Sequence, residues 1–165
     1  MVKSLKACYF KQGDIRPAFT MVELVFVIVI LGILAAVAIP RLGASRDDAV
    51  IVKGKSQISA IRSGIALQKS KRMLEGTVPF IPTALDTIVA ASVDGNRLFN
   101  FNDGNTSNIL EYPIFSQSNQ DGSWVKTAAN TYAFRVMGIV HSFFYDANTG
   151  IFNCTAGTYC DQLTR

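Results

Sequence analysis

The chain has 165 residues, room for one ordinary domain and little for a second. Nearly half of them (49%) are hydrophobic and 17% are charged, with a mean hydropathy of +0.26, which excludes a disordered, acidic or low-complexity chain. A single segment is apolar enough to span a bilayer, which excludes a polytopic membrane protein, and the net charge of +4 hides an uneven spread that argues against a uniformly basic nucleic-acid binder.

In chain order the charge runs +3 over residues 1–18, −1 over 19–40, +6 over 41–72 and −4 over 73–165. The order is a basic leader, an apolar rod, a basic stem and an acidic head. Leu24–Ile39 is sixteen residues without a charge, and with Phe19 as its start the apolar stretch reaches twenty-one residues. As a helix that stretch covers about 31 Å, close to the hydrocarbon thickness of a bilayer. It is rich in β-branched residues, but a strand there would leave backbone groups unpaired in lipid, so helix is the expected state.

Two readings compete for this segment. One is a secretory signal ending at Ala36-Val37-Ala38. The other is a retained anchor behind a short leader. Glu23 separates them, because a carboxylate inside an apolar helix costs on the order of 2.5–3.5 kcal/mol at mid-bilayer and simple export has no use for it. A charge so placed needs a cationic partner. The plainer account is a carboxylate reaching the interface near a helix end.

The run Arg16-Pro17-Ala18-Phe19-Thr20-Met21-Val22-Glu23-Leu24, followed by the long apolar stretch, resembles the class III signal of type IV pilins and type II secretion pseudopilins. The resemblance implies cleavage between Ala18 and Phe19 by a prepilin peptidase on the cytoplasmic side, and N-methylation of Phe19. Gly32 and Pro40 fall where that family has its helix-loosening glycine and proline. One position departs from the pattern: Ala18 stands where the family usually has glycine, which puts the rate of cleavage in question. A cut after Ala18 creates an α-amino group four residues before Glu23. In a filament core Glu23 is expected to pair with the Phe19 ammonium of a neighbouring subunit, a contact that sets register more than it adds stability. The flanking charges do not fix orientation, since Arg41, Arg46, Lys53 and Lys55 follow the run as closely as the leader bases precede it. The cleavage signal and the C-terminal cysteines give leader inside and head outside, and Cys8 leaves with the leader.

After Pro40, where a kink is expected, Ile51, Gly54, Ile58, Ile61, Ile65 and Gln68 recur at spacings of three and four. They mark the buried face of an amphipathic stem over residues 41–75, with Lys53, Lys55, Arg62 and Lys69 on its other surfaces. Rod and stem together read as one helix of about 55 residues, too long for a small core to bury. The basic stem reads as a complement to acidic heads of neighbouring subunits, as a solvated face, or as a DNA contact. Aromatic interleaving of the kind that stacks on single strands is absent from it.

The head spans residues 76–165. Gly76, Pro79, Pro82 and Asp94-Gly95-Asn96 punctuate its start, and a short helix capped by Thr83 is expected over 83–93. Residues 100–108 read as a loop, 109–116 as an edge strand around Pro113, and 116–123 as turns. Strands are expected over 131–137, 140–145 and 151–154, with Asp146–Gly150 as the turn of the last hairpin. Tyr132, Phe134, Phe143 and Phe152 are core candidates. The fold class is α+β: a long N-terminal helix, transmembrane in its first half, packed on a small antiparallel sheet. Cys154 and Cys160 suit a disulfide in an oxidising compartment, worth about 2–3 kcal/mol in the entropy model, with reduced thiols as the plainer alternative and zinc poorly served by one histidine.

No catalytic constellation is present, because His141 has no nucleophile partner by motif and no phosphate-binding glycine loop exists. Major pseudopilins often bind calcium near this part of the sheet. Asp121 and Asp146 are the available carboxylates, although ordinary turns account for both. Asn105 begins an Asn-x-Ser/Thr acceptor with Asp103 before it, which resembles the extended acceptor of bacterial N-glycosylation; Asn153 is a poorer formal acceptor.

The expected function is that of a non-enzymatic structural subunit of a type II secretion pseudopilus or type IV pilus-like filament, without a cofactor. Its expected partners are further copies of itself, minor pilins or pseudopilins, prepilin peptidase, a platform protein with its assembly ATPase, and the lipid bilayer. Its expected place is the inner membrane, N-terminus cytoplasmic and head periplasmic. The rivals are a minor pilin of a DNA-uptake or adhesion pilus, in which DNA becomes a partner, an exported soluble binding protein starting at Ile39, and a single-pass anchored enzyme that lacks any supporting motif.

Overall fold

The computed structural model describes residues 19–88, 90–101 and 108–165, with the side chains of 40–45 outside that set. The chain divides into two compact units, the first ending at Arg41 and the second running from Leu42 to Arg165. One helix, α1 (Met21–Glu75, 55 residues), contributes to both. The kink expected at Pro40 lies outside the described side chains.

In the first unit α1 begins one residue after Thr20. Over Met21–Ile39 the mean hydropathy is 3.0 and none of the stretch is buried. This is, among the described residues, the single helix long and apolar enough to cross a membrane. The core helix of a soluble fold is mostly buried, and among the described residues this stretch is not.

In the second unit the stem buries Gly54, Ile58, Ile61, Gly64, Ile65, Gln68 and Arg72, which fall on one face at spacings of three and four. Each isoleucine so placed gains about 1.5–3 kcal/mol over an exposed one. Against this face lies a four-stranded antiparallel sheet of β3 (Trp124–Ala128), β4 (Thr131–Val136), β5 (Ile139–Asp146) and β6 (Ile151–Ala156), in that order. Two further strands, β1 (Arg97–Leu98) and β2 (Ile114–Phe115), pair with each other. A short helix, α2 (Cys160–Thr164), ends the chain.

Period-two alternation decides which strand residues meet the stem. Tyr132, Phe134 and Val136 from β4, and His141, Phe143 and Tyr145 from β5, all point inward and are buried. Phe99, Trp124 and Phe152 complete an aromatic cluster whose ring centroids lie 4.8–6.0 Å apart. Two stem glycines let the helix approach closely. A Cβ on Gly54 would sit 2.6 Å from the Phe134 ring, and one on Gly64 would run into the Ile109 backbone carbonyl. Met137 and Gly138 both have positive φ (50° and 74°) and form the two-residue loop between β4 and β5, as a type I′ hairpin requires.

Several expectations are corrected. No helix forms among the described residues of 83–93: Leu85 is in the core, and the Asp86 carboxylate accepts the Ile88 N–H (3.0 Å) in a local turn. Ser92 then pairs with Lys126, its N–H donating to the Lys126 carbonyl at 2.9 Å. The edge strand expected over 109–116 shrinks to Ile114–Phe115, directly after Pro113. Strands β1 and β3 and helix α2 lie where none was expected. Arg62 is half-buried rather than a solvated surface residue.

Candidate functional site

The start of α1 is a reciprocal cap. Thr20 precedes the first helical residue and Glu23 is the third, the spacing of a capping box. The Glu23 N–H donates to Thr20 Oγ1, and the Thr20 N–H and hydroxyl both donate to Glu23 Oε2, each at 3.2 Å. These bonds engage Oε2, and both Glu23 and Phe19 (82%) are exposed. Gly32 lies on the same exposed helix, with nothing within 4 Å of where a Cβ would stand. Of the residues expected here, Phe19, Glu23 and Gly32 are placed, Pro40 lies within α1 with its side chain outside the described set, and Ala18 lies outside the described residues.

The C-terminal corner gathers a second group. Cys154 on β6 and Cys160 at the start of α2 form a disulfide with Cα atoms 5.5 Å apart. His141 lies beneath the loop they close. Its Nε2 accepts the Tyr159 N–H (3.1 Å) and its Nδ1 lies 3.1 Å from the Ile139 carbonyl, the arrangement of an Nδ1–H tautomer. Leu163 of α2 is buried beside Gly54. Arg62 binds the corner to the stem: its Nε donates to the Phe152 carbonyl (3.1 Å), Nη1 to the Thr164 carbonyl (3.3 Å) and Nη2 to Asn153 Oδ1 (3.1 Å). His141 is thus part of the packing of this corner.

A third group gave no sequence signal. Lys126 Nζ donates to Asp86 Oδ1 at 2.6 Å, both side chains almost wholly buried, and it also contacts the Ile88 carbonyl. The Tyr132 hydroxyl donates to the other carboxylate oxygen, Oδ2, at 2.7 Å. Burial, then the neighbouring Asp86 charge, pushes the Tyr132 phenol well above its ordinary range. Tyr145, whose hydroxyl donates to the Pro82 carbonyl (2.6 Å), is pushed up to about 12, mainly by burial. Lys126 holds an inward position of β3, a strand the sequence did not predict, so no local signal marked the group.

The carboxylates considered for calcium each serve a turn. Asp121 Oδ1 accepts the Gly138 N–H at 2.8 Å. Asp146 accepts the Asn148 N–H (2.9 Å) and the Thr149 hydroxyl (2.8 Å), and the Asn148 bond leads in holding its carboxyl below the usual range. No cluster of three or more His, Cys, Asp or Glu residues occurs among the described residues. Asn105 lies outside the described residues.

Comparison with known proteins adds two findings. The prokaryotic N-terminal methylation motif matches residues 16–39, which take in Arg16, the expected cut site and Glu23. The chain is also similar to the type II secretion system core protein G of Pseudomonas aeruginosa, at 39% identity over 54 residues. That match covers 33% of this chain and 38% of the relative. No solved structure matches the chain. The N-terminal segment therefore carries a prepilin-type methylation motif, and its apolar helix, the stem and the small antiparallel sheet make a pilin-like α+β arrangement. An apolar helix under such a motif fits a membrane-anchored pilin.

Proposed function

We propose that this chain is a structural subunit of a pilin-like filament, most simply the pseudopilus of a type II secretion system, with a mechanical and not an enzymatic role. The observation that carries the reading is Glu23, the one charged side chain in an otherwise apolar, fully exposed helix within the methylation motif. Prepilin peptidase cuts between Ala18 and Phe19 and the new terminus is methylated. The subunit waits in the inner membrane with its N-terminus cytoplasmic and its head periplasmic. A platform protein and its ATPase move it into a filament with further copies and minor subunits, and no cofactor is required.

In that transfer the apolar face of α1 exchanges lipid for the helices of neighbours, a nearly balanced exchange. Electrostatics then chooses the register. Glu23 Oε1 accepts the Phe19 ammonium of an adjoining subunit, and every other arrangement leaves one of the two charges unpaired in a low dielectric. Glu23→Ala or Glu23→Val is expected to abolish filament formation while the head stays folded and the protein stays in the membrane. Normal filament yield from either variant would overturn the reading, as would a natural N-terminus at Met1 or Ile39.

One observation favours the pilus side of the same class. The Cys154–Cys160 disulfide closes the C-terminal region, an arrangement more usual in type IV pilins than in major pseudopilins. On that alternative the chain is a minor pilin of an adhesion or DNA-uptake pilus. Neighbouring genes for a secretin and secreted hydrolases, against genes for competence, discriminate the two.

A further inference from the structure

The buried group of Lys126, Asp86 and Tyr132 has no part in the assembly reading, and it carries reactive chemistry. We propose that Lys126 and Asp86 become joined by an intramolecular isopeptide bond that forms within the folded head, with the Tyr132 hydroxyl as the group that stabilises the reacting carboxyl.

Proximity is the first argument. Nζ and Oδ1 are 2.6 Å apart, and the side chains are 2% and 0% exposed. Both partners are held. Asp86 is fixed by the Ile88 N–H on Oδ1 (3.0 Å) and the Tyr132 hydroxyl on Oδ2 (2.7 Å). Lys126 is fixed through its backbone, which exchanges 2.9 Å bonds with Ser92 through the Lys126 N–H to Ser92 Oγ and the Ser92 N–H to the Lys126 carbonyl. Holding two reactants in contact raises their effective concentration to as much as about 10⁵–10⁸ M. The second argument is the medium: both side chains are buried, which keeps bulk water from the reacting atoms.

The step balances within the cluster. One ammonium proton of Lys126 passes to Asp86 Oδ1, giving a neutral amine and a carboxylic acid. The Nζ lone pair attacks Cγ and a C–N bond forms. The negative charge that develops on Oδ2 is met by the Tyr132 hydroxyl. A second proton moves from nitrogen to Oδ1, the Cγ–Oδ1 bond breaks, and one water leaves. No oxidant, reductant or other reactant enters. The single N–H left on the amide nitrogen has an acceptor in place, the Ile88 carbonyl that Nζ already contacts.

The test is the intact mass of the natural full-length protein, extracted in detergent, reduced and denatured, with its true N-terminus fixed by sequencing. The linked chain is lighter by about 18 Da, one water, than its sequence mass with the N-terminal methyl group included. Digestion should then yield a branched peptide joining the Asp86 and Lys126 segments, with no cleavage by trypsin after Lys126. Full composition mass with separate peptides would overturn the proposal. Lys126→Arg should run at full mass, and a missing water in that variant would place the loss elsewhere and equally overturn it. Tyr132→Phe keeps the ring and should accumulate unlinked chain; complete linkage in it would remove Tyr132 from the mechanism. All these readings are made on single subunits, so they stand or fall apart from the filament reading.

Discussion

At the scale of single residues, Thr20 and Glu23 divide one carboxylate between two tasks. Oε2 closes the helix cap and Oε1 remains open. Thr20→Ala removes the hydroxyl that both gives and takes a bond, which costs about 1 kcal/mol of capping and leaves Glu23 less shielded in lipid. Filament yield and membrane retention are expected to fall in Thr20→Ala and to hold in Thr20→Ser, which keeps the capping oxygen; equal yields from the two would sever Thr20 from assembly. The buried phenols give a second prediction. Tyr132 and Tyr145 keep their protons in the fold above the pH near 10 at which an unfolded chain loses them. The unfolded state therefore holds fewer protons there, so this stabilisation is complete below pH 10 and is lost as pH rises toward and past 12. Denaturant titrations at pH 8 and pH 11 read it directly through Trp124, the single tryptophan, which is buried in the core.

At the scale of elements, the stem and sheet meet through glycine. Gly64→Ala gains about 1 kcal/mol of helix propensity, but its Cβ would be driven into the Ile109 carbonyl. Main-chain displacement of this kind costs about 1–3 kcal/mol, so the variant is expected to be less stable, with an unfolding midpoint below that of the parent. The stem face was legible in the sequence because Ile51, Gly54, Ile58, Ile61, Ile65 and Gln68 declare their own spacing. The strands β4, β5 and β6 were legible because aromatic alternation and the Asp146–Gly150 turn are local signals. Strand β3 was not, since Lys126 interrupts its alternation and the partner that makes it tolerable lies 40 positions away. For the same reason nothing marked Asp86, within the helix expected over 83–93, as a residue buried in the head. Helix α2 has five residues, too few to show a period, and is held by the disulfide and Arg62. Of the candidate site, Glu23 was legible from its cost alone; its Thr20 partner was not read, although the three-residue spacing of a capping box carries that signal. The cluster around Lys126 was invisible because long-range pairing leaves no mark on the local sequence.

At the scale of the whole molecule, the two units have opposite needs. The second contains its own core, from Ile58 to Leu163, and its own internal hydrogen bonds. The first presents an apolar helix that is unburied among the described residues. A chain beginning at Leu42 is therefore expected to be soluble without detergent, with Trp124 emitting as a buried indole and a cooperative thermal transition, whereas the full chain is expected to need detergent or lipid. Aggregation of the shortened chain, or an exposed tryptophan in it, would show that the head depends on the segment removed.

The cap at Thr20 has a consequence for supply. Because the cap gives Oε2 two donors within its own chain, on the proposed reading Glu23 costs a solitary molecule in the bilayer less than a bare carboxylate would. On the proposed reading a cell can stockpile parts before any growing fibre exists. The pace of elongation is then governed by the machine that draws them out, not by the ribosome that makes them.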